Sequence, residues 1–141
     1  MTDVLDALVA AGARVASLEM AAAVGDVSGW TLHEADEQTR LRALVLAADH
    51  QRLDVVRALV AAGTDIDTAD AQWHRLALHT AADHGRSASV RLLLELGANP
   101  NLRDPDHGRT PLEWCQPEYR YLSHPGHDEV DRILRPVTTA R

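Results

Sequence analysis

The chain has 141 residues, a net charge of −7 and no Phe, so alanine, leucine and valine must supply most of its core. This charge argues against binding to nucleic acid or to an anionic membrane surface, because both need clustered cations. The length fits one domain, and we predict that residues 1–141 form a single unit.

Several features predict the class and the compartment of the protein. The sequence contains no run of eighteen apolar residues, so no membrane span is predicted. Asp3 and Asp6 stand where the first part of a signal peptide would be basic, so no signal peptide is predicted. Cys115 is the only cysteine, so an internal disulfide is excluded. We therefore expect a cytoplasmic protein. All basic residues are Arg, which, together with the many alanines, indicates a GC-rich bacterial genome.

The N-terminal part predicts short helices. The pattern favours a helix over residues 3–11 that ends at Gly12, an Ala-rich helix over 16–24 and another helix over 28–36. Only 26 residues separate Leu18 from Leu44, so the hairpin that links these units is predicted to be missing or very short.

The central part contains two copies of one sequence unit, with an offset of 34 residues. Apolar residues at helical spacing predict a helix pair at 39–50 and 53–62, and a second pair at 78–84 and 88–96. Gly63 and Gly97 occupy the same place in the two copies and are typical helix stops. A period of this size is typical of stacked repeats, in which each unit packs on its neighbours.

The C-terminal part predicts a last helix pair at 111–116 and 127–135. Thr110, Pro111 and Glu113 form a capping-box pattern, which favours a helix beginning at Pro111. The insert at 115–125 contains Pro117, so it cannot continue the preceding helix undisturbed. Its tyrosines are too apolar for simple disorder, and we predict an ordered loop packed on the last helix.

The residues of the central repeat resemble the ankyrin repeat. The similarity is carried by Leu-His-Thr-Ala-Ala-Asp-His-Gly at 78–85 and by the second helix and exit loop at 90–101. It implies an all-α solenoid of three to four helix-turn-helix units with short hairpin loops and atypical capping repeats. It also implies that His79 bonds to the backbone of the adjacent hairpin and that His127 has a structural role. Compared with the family pattern, the hairpin tips and the segment after Trp114 are longer.

Two arrangements suggest chemistry, and both have a simpler interpretation. His124 and His127 have ligand-like spacing, but Pro125 and Gly126 between them prevent a regular helix, and zinc sites need three or four ligands. Cys115 aligns with a small core residue, which favours a packed thiol over a nucleophile. We predict no catalytic residue, no metal and no cofactor.

The resemblance implies a protein-binding module that recognises a partner protein through its hairpin tips and inner helices. An exposed Trp beside Arg is typical of an interface, although Trp73 could instead pack between hairpins. The predicted partner-binding residues are Asp70, Gln72, Trp73, Arg75, Asp83, His84, Asp106, Arg109, Trp114 and Tyr119. The alternative is a small enzyme or ligand-binding protein with a pocket formed by the 115–125 insert, Trp114 and the irregular N-terminal repeat.

Overall fold

The computed structural model describes residues 17–27, 32–117 and 125–138, and these residues contain helices and no strand. The helices are α1 (Leu18–Val24), α2 (Glu37–Asp49), α3 (Leu53–Ala61), α4 (Ala77–Asp83), α5 (Ser87–Glu95), α6 (Pro111–Cys115) and α7 (Gly126–Leu134), with 3₁₀ turns at Leu32–Glu34 and Arg135–Val137. The predicted all-α class is confirmed. Within the same ranges, no helix is long and apolar enough to cross a membrane.

The helices form two layers. Helices α1, α2, α4 and α6 pack side by side in an inner layer, while α3, α5 and α7 pack in an outer layer. Three inner helices pair with the outer helix that follows them in the chain: α2 with α3, α4 with α5, and α6 with α7. The described residues thus contain three helix pairs and one additional inner helix, α1.

The core lies between the two layers and changes in composition from one side to the other. Alanines such as Ala47 and Ala81 are completely buried in the inner helices, and their small side chains let neighbouring helices approach closely. Leu44, Leu59 and Leu93, each at most 2% exposed, fill the space between the layers. Burying a leucine contributes about 1.5–3 kcal/mol, so stacking of these units supplies most of the stability.

The predicted helix ends are confirmed in the central and C-terminal repeats. Gly63 and Gly97 adopt φ of 100° and 102°, a left-handed conformation that glycine reaches without strain. The capping box is formed as well, because the Glu113 N–H donates to Thr110 Oγ1 at 3.3 Å and the Thr110 N–H donates to Glu113 Oε1 at 3.0 Å. These ends agree with the 34-residue register.

The predicted helix at 28–36 is wrong in the part that the structure describes. Residues 32–36 contain only the 3₁₀ turn, and Asp36 is extended. The Asp36 carboxylate accepts the Thr39 N–H at 2.9 Å and so caps the start of α2, and a helix cannot run through a residue in that conformation. Helix α1 packs directly against α2. The predicted helix at 3–11 and the insert residues 118–124 lie outside the described residues.

Hydrogen bonds from side chains to backbone join successive repeats. Ser89 Oγ in α5 donates to the Ala48 carbonyl at 2.5 Å, and the Ala71 N–H donates to Gln38 Oε1 at 2.6 Å. Such bonds satisfy polar groups that stacking would otherwise bury without partners. They also fix the position of each hairpin loop relative to the preceding helix.

Candidate partner-binding groove

The first tip, residues 70–75, is built around a buried aspartate. The Asp70 carboxylate accepts backbone N–H groups from Gln72 at 3.0 Å, Trp73 at 2.6 Å and Arg75 at 3.1 Å. An aspartate that bonds the following N–H groups is a common way to close a tight turn. Asp70 is only 1% exposed, so its predicted role as a partner contact is corrected to that of a residue that shapes the tip.

The second tip, residues 104–109, repeats this turn 34 residues later. The Asp104 carboxylate accepts three backbone N–H groups of its own turn at 2.8–3.1 Å and also the Trp114 Nε1–H at 3.1 Å. Burial alone would raise the pKa of Asp104, but the N–H groups of Arg109 and His107 and the Trp114 indole outweigh burial and lower it to about 2.

One left-handed position occurs in both tips. It is Gly108 in the second tip, with φ of 65°, and His74 in the first tip, with φ of 55°. A left-handed conformation costs a non-glycine residue roughly 1–2 kcal/mol. It directs His74 towards the second tip, where its Nδ1 lies 3.0 Å from Asp106 Oδ1. Strained residues of this kind often occur at functional sites.

Two tryptophans form walls beside the tips, Trp73 from the first tip and Trp114 from α6. Trp73 is 39% exposed, and the Arg42 guanidinium lies 5.9 Å from its ring centroid. Trp114 is half-buried, with the Arg109 guanidinium at 5.7 Å and the His107 ring edge-on at 5.2 Å. Both aromatic walls therefore already lie close to a guanidinium group, at distances typical of cation–π contacts.

The floor between the walls is the inner helix α4. His79 Nε2 lies 2.8 Å from the Leu102 carbonyl oxygen and 3.0 Å from the Arg109 carbonyl oxygen. Carbonyls only accept, so Nε2 carries the proton and His79 fastens the second tip to α4, as the resemblance implied. Burial lowers the pKa of His79, which favours the neutral ring and leaves Nδ1 as an acceptor.

Three buried polar atoms of this floor have no hydrogen-bond partner among the described residues: His79 Nδ1, Thr80 Oγ1 and Asp83 Oδ1. Burial raises the pKa of Asp83. An unsatisfied buried polar group costs about 1–3 kcal/mol, so three on one helix are an unusual concentration.

Walls and floor enclose a groove of about 430 Å³. The described residues that line this groove are Trp73, His74, Arg75, Leu76, His79, Thr80, Asp83, Asp104, Asp106, His107 and Trp114.

Half of the predicted partner-binding residues line the groove. These are Trp73, Arg75, Asp83, Asp106 and Trp114. Gln72 is exposed on the first tip and Arg109 lies on the second, whereas Tyr119 lies outside the described residues. The groove residues that were not among the predicted contacts are His74, Leu76, His79, Thr80, Asp104 and His107. The 34-residue register offers a signal for two of them, because Thr80 aligns with Trp114 and His107 aligns with Trp73.

His84 lies beyond the groove lining, at the C-terminal end of α4. Its Nδ1 is 2.6 Å from Asp49 Oδ1 at the end of α2, and Arg86 Nε approaches the same oxygen at 3.4 Å. The hydrogen bond to Asp49 raises the pKa of His84. Because this arrangement joins two inner helices, we treat His84 as a junction residue between repeats.

The remaining candidates have structural roles. Cys115 is a buried core thiol, as predicted. His127 is buried, and its Nε2 lies 2.7 Å from the Asp83 carbonyl oxygen, which agrees with the structural role expected of it. His124 falls outside the described residues. Within the described ranges, no three His, Cys, Asp or Glu side chains are grouped so that they could hold a metal ion.

Stacked helix pairs with tips beside the inner helices define a class of repeat protein that binds partners on an extended surface. A family model described as ankyrin repeats (three copies) matches residues 18–104 and 44–124. The chain belongs to the ankyrin-repeat family, whose repeats are generally protein-interaction modules. A search of the curated proteins found no significant match.

Proposed function

We propose that this protein binds a partner protein through the groove between its two tips. The observation that carries the proposal is Trp73, a large aromatic residue that is 39% exposed at the groove rim. Exposed tryptophans that stand beside arginine are frequent energetic centres of interfaces. Here the Arg42 guanidinium lies over the ring, and Arg75 stands two residues further along the same tip.

The rim is held in place before any partner arrives. The Trp73 N–H is bonded to the buried Asp70 carboxylate at 2.6 Å, and the Ala71 N–H is bonded to Gln38 of α2 at 2.6 Å. A loop that is already ordered loses little conformational entropy on binding. This supports recognition by a rigid surface.

The charge of the groove supports a basic partner. Three carboxylates line it, from Asp83, Asp104 and Asp106, against one arginine, Arg75. The chain as a whole carries −7. Complementary charge speeds association and selects among partners, so binding is expected to weaken as salt is added.

The shifted pKa values in the groove do not by themselves make a catalytic site. A general base must be free to accept and release a proton at the reacting atom. His79 Nε2 is held by two backbone carbonyls, and its Nδ1 is buried. This geometry supports a structural and binding role for the groove.

The test is affinity capture from the cells that produce the protein, with wild type, Trp73→Ala and Val137→Ala as immobilised proteins. Val137 is a matched control because it is 46% exposed and is no part of the groove lining. Loss of a hot-spot tryptophan is expected to reduce capture of a specific partner by about tenfold or more.

The control variant should capture that partner as wild type does, and circular dichroism should show that all three proteins are folded. Equal capture by wild type and Trp73→Ala would contradict the proposed surface.

A further inference from the structure

Three residues of the groove floor carry buried polar atoms that have no hydrogen-bond partner in the part of the chain that the structure describes. His79 Nδ1 and Asp83 Oδ1 are acceptors, and Thr80 Oγ1 can accept or donate. The three residues occupy positions i, i+1 and i+4 of α4, and all of them line the groove. A ligand that satisfies such a floor must supply several N–H or O–H donors.

The charge of the groove restricts the ligand further. Asp104 is saturated by its own turn, and Asp106 is close to His74. Asp83 is different, because it is 8% exposed, its Oδ1 has no partner among the described residues, and its Oδ2 lies 3.6 Å from His84 Nε2.

Burial raises the pKa of Asp83, and the charges of His84 and then of Arg75 oppose this shift. Among the described residues, Arg75 is the arginine that lines the groove, and it is exposed at the rim. It forms no ion pair with Asp83 there.

From these observations, and resting on the proposed function, we propose that the groove binds the side chain of an arginine carried by the partner protein. A guanidinium group presents five N–H donors in one plane and keeps its charge when it is desolvated. Once the Asp83 and Thr80 side chains rotate towards the groove, it can donate to both while its face lies against an aromatic wall. The protein's own Arg42 and Arg109 already lie over Trp73 and Trp114 in this way.

The size of the groove fits this ligand. Its volume of about 430 Å³ lies near the lower end of pockets that hold small ligands, roughly 300–1,000 Å³. One long side chain can enter such a space, while the main chain of the partner remains at the rim beside Trp73. Specificity for arginine over lysine would then arise from the planar donors, because an ammonium group is a compact point charge.

The test is an NMR titration of the whole protein with three probes: the N-acetyl N-methylamides of arginine, lysine and citrulline. Citrulline keeps the shape of arginine without its charge. The arginine probe should shift the backbone amide signals of residues 79–83 and the indole signals of Trp73 and Trp114, with millimolar affinity. The citrulline probe should bind at least about tenfold more weakly, because a charge-assisted hydrogen bond is lost.

Four variants locate the site. Asp83→Asn and Thr80→Val keep the side-chain shape, and each should bind the arginine probe more weakly than wild type. For Asp83→Asn the loss of affinity should be about tenfold. Arg75→Gln should bind it more tightly, because a like charge is removed. Asp54→Asn removes a fully exposed carboxylate outside the groove and should bind as wild type does.

Three results would overturn the inference: no shifts with the arginine probe, equal affinity of Asp83→Asn and wild type, or equal binding of lysine and arginine. Capture of the partner protein by the Trp73→Ala and Asp83→Asn variants distinguishes failure of the arginine site from failure of the proposed function. If Trp73→Ala loses that partner and Asp83→Asn retains it, the interface stands and the arginine site falls. If both variants retain it, the proposed function falls as well.

Discussion

Asp104 gives the sharpest test of how the tips are held, through the substitution Asp104→Asn. The carboxylate accepts three N–H groups of its turn and the Trp114 indole, so the second tip closes around one negative charge. Asparagine has nearly the same shape but presents an NH₂ group to donors that need an acceptor. We expect the variant to be less stable than wild type, and the difference to depend on pH.

The magnitude follows from the pKa of Asp104, which is lowered from 3.8 to about 2. One pKa unit corresponds to about 1.4 kcal/mol, so the ionised carboxylate contributes about 2 kcal/mol to the free energy of unfolding. A pKa that is lower in the folded protein stabilises it above the unfolded pKa of 3.8. This contribution is lost as the pH falls towards 2, and about half of it remains near pH 3.

The measurement is urea unfolding of wild type and Asp104→Asn, followed by circular dichroism at pH 6 and at pH 3. The gap in stability between the two proteins should shrink by about 1 kcal/mol at the lower pH. Other carboxylates titrate in both proteins and cancel in this difference. Asp54→Asn, whose carboxylate is fully exposed, should differ little from wild type at either pH. A gap of the same size at both pH values would refute the assigned role of Asp104.

Four further outcomes are expected from equilibrium unfolding and NMR. Leu93→Ala removes a fully buried side chain from the core and should cost about 2–5 kcal/mol in urea unfolding, and a loss below 1 kcal/mol would contradict its core position. Gly97→Val should cost more than about 1 kcal/mol in the same assay, because φ is 102° there while a Cβ would meet no atom within 4 Å, so the cost is backbone strain. Thr110→Ala breaks the capping box and should lower the stability by about 1 kcal/mol, whereas an unchanged midpoint would show that the cap is dispensable. The hydrogen bond to Asp49 raises the pKa of His84, so this pair stabilises the fold below the ordinary histidine pKa of 6.5. The stabilisation is lost as the pH rises through the raised pKa. NMR titration of Asp49→Asn should show a lower His84 pKa than in wild type.

Much of the fold could be predicted because the repeat register is written in the sequence. The 34-residue offset and the apolar spacing place α2 to α5 within about two residues of their observed ends, and Gly63 and Gly97 mark two of those ends. The helix expected at 28–36 was wrong because Asp36 can either sit inside a helix or cap the next one. Its carboxylate accepts the Thr39 N–H and caps α2, and the apolar spacing does not distinguish these two roles.

The candidate site was only partly predictable. Trp73 and Asp83, which the sequence predicts as partner contacts, both line the groove, since aromatic and acidic side chains stand out at a tip and on an inner helix. Asp70 was expected to face a partner, but its carboxylate turns inward to close its own loop. Local sequence does not distinguish these two orientations. The unpaired atoms of the floor, such as Thr80 Oγ1, could not be predicted either, because satisfaction of a hydrogen bond depends on the neighbouring repeat.

The hydrogen bonds between repeats also determine where the chain can be divided in protein engineering. His79 in α4 donates to carbonyls of Leu102 and Arg109, which belong to the next unit. Ser89 in α5 reaches back to the Ala48 carbonyl in α2. A fragment that stops after α5 would leave the His79 imidazole N–H without its acceptors, and one that begins after α2 would leave the Ser89 hydroxyl without its acceptor. A minimal soluble fragment for grafting this groove must therefore start at or before α2 and keep the second tip.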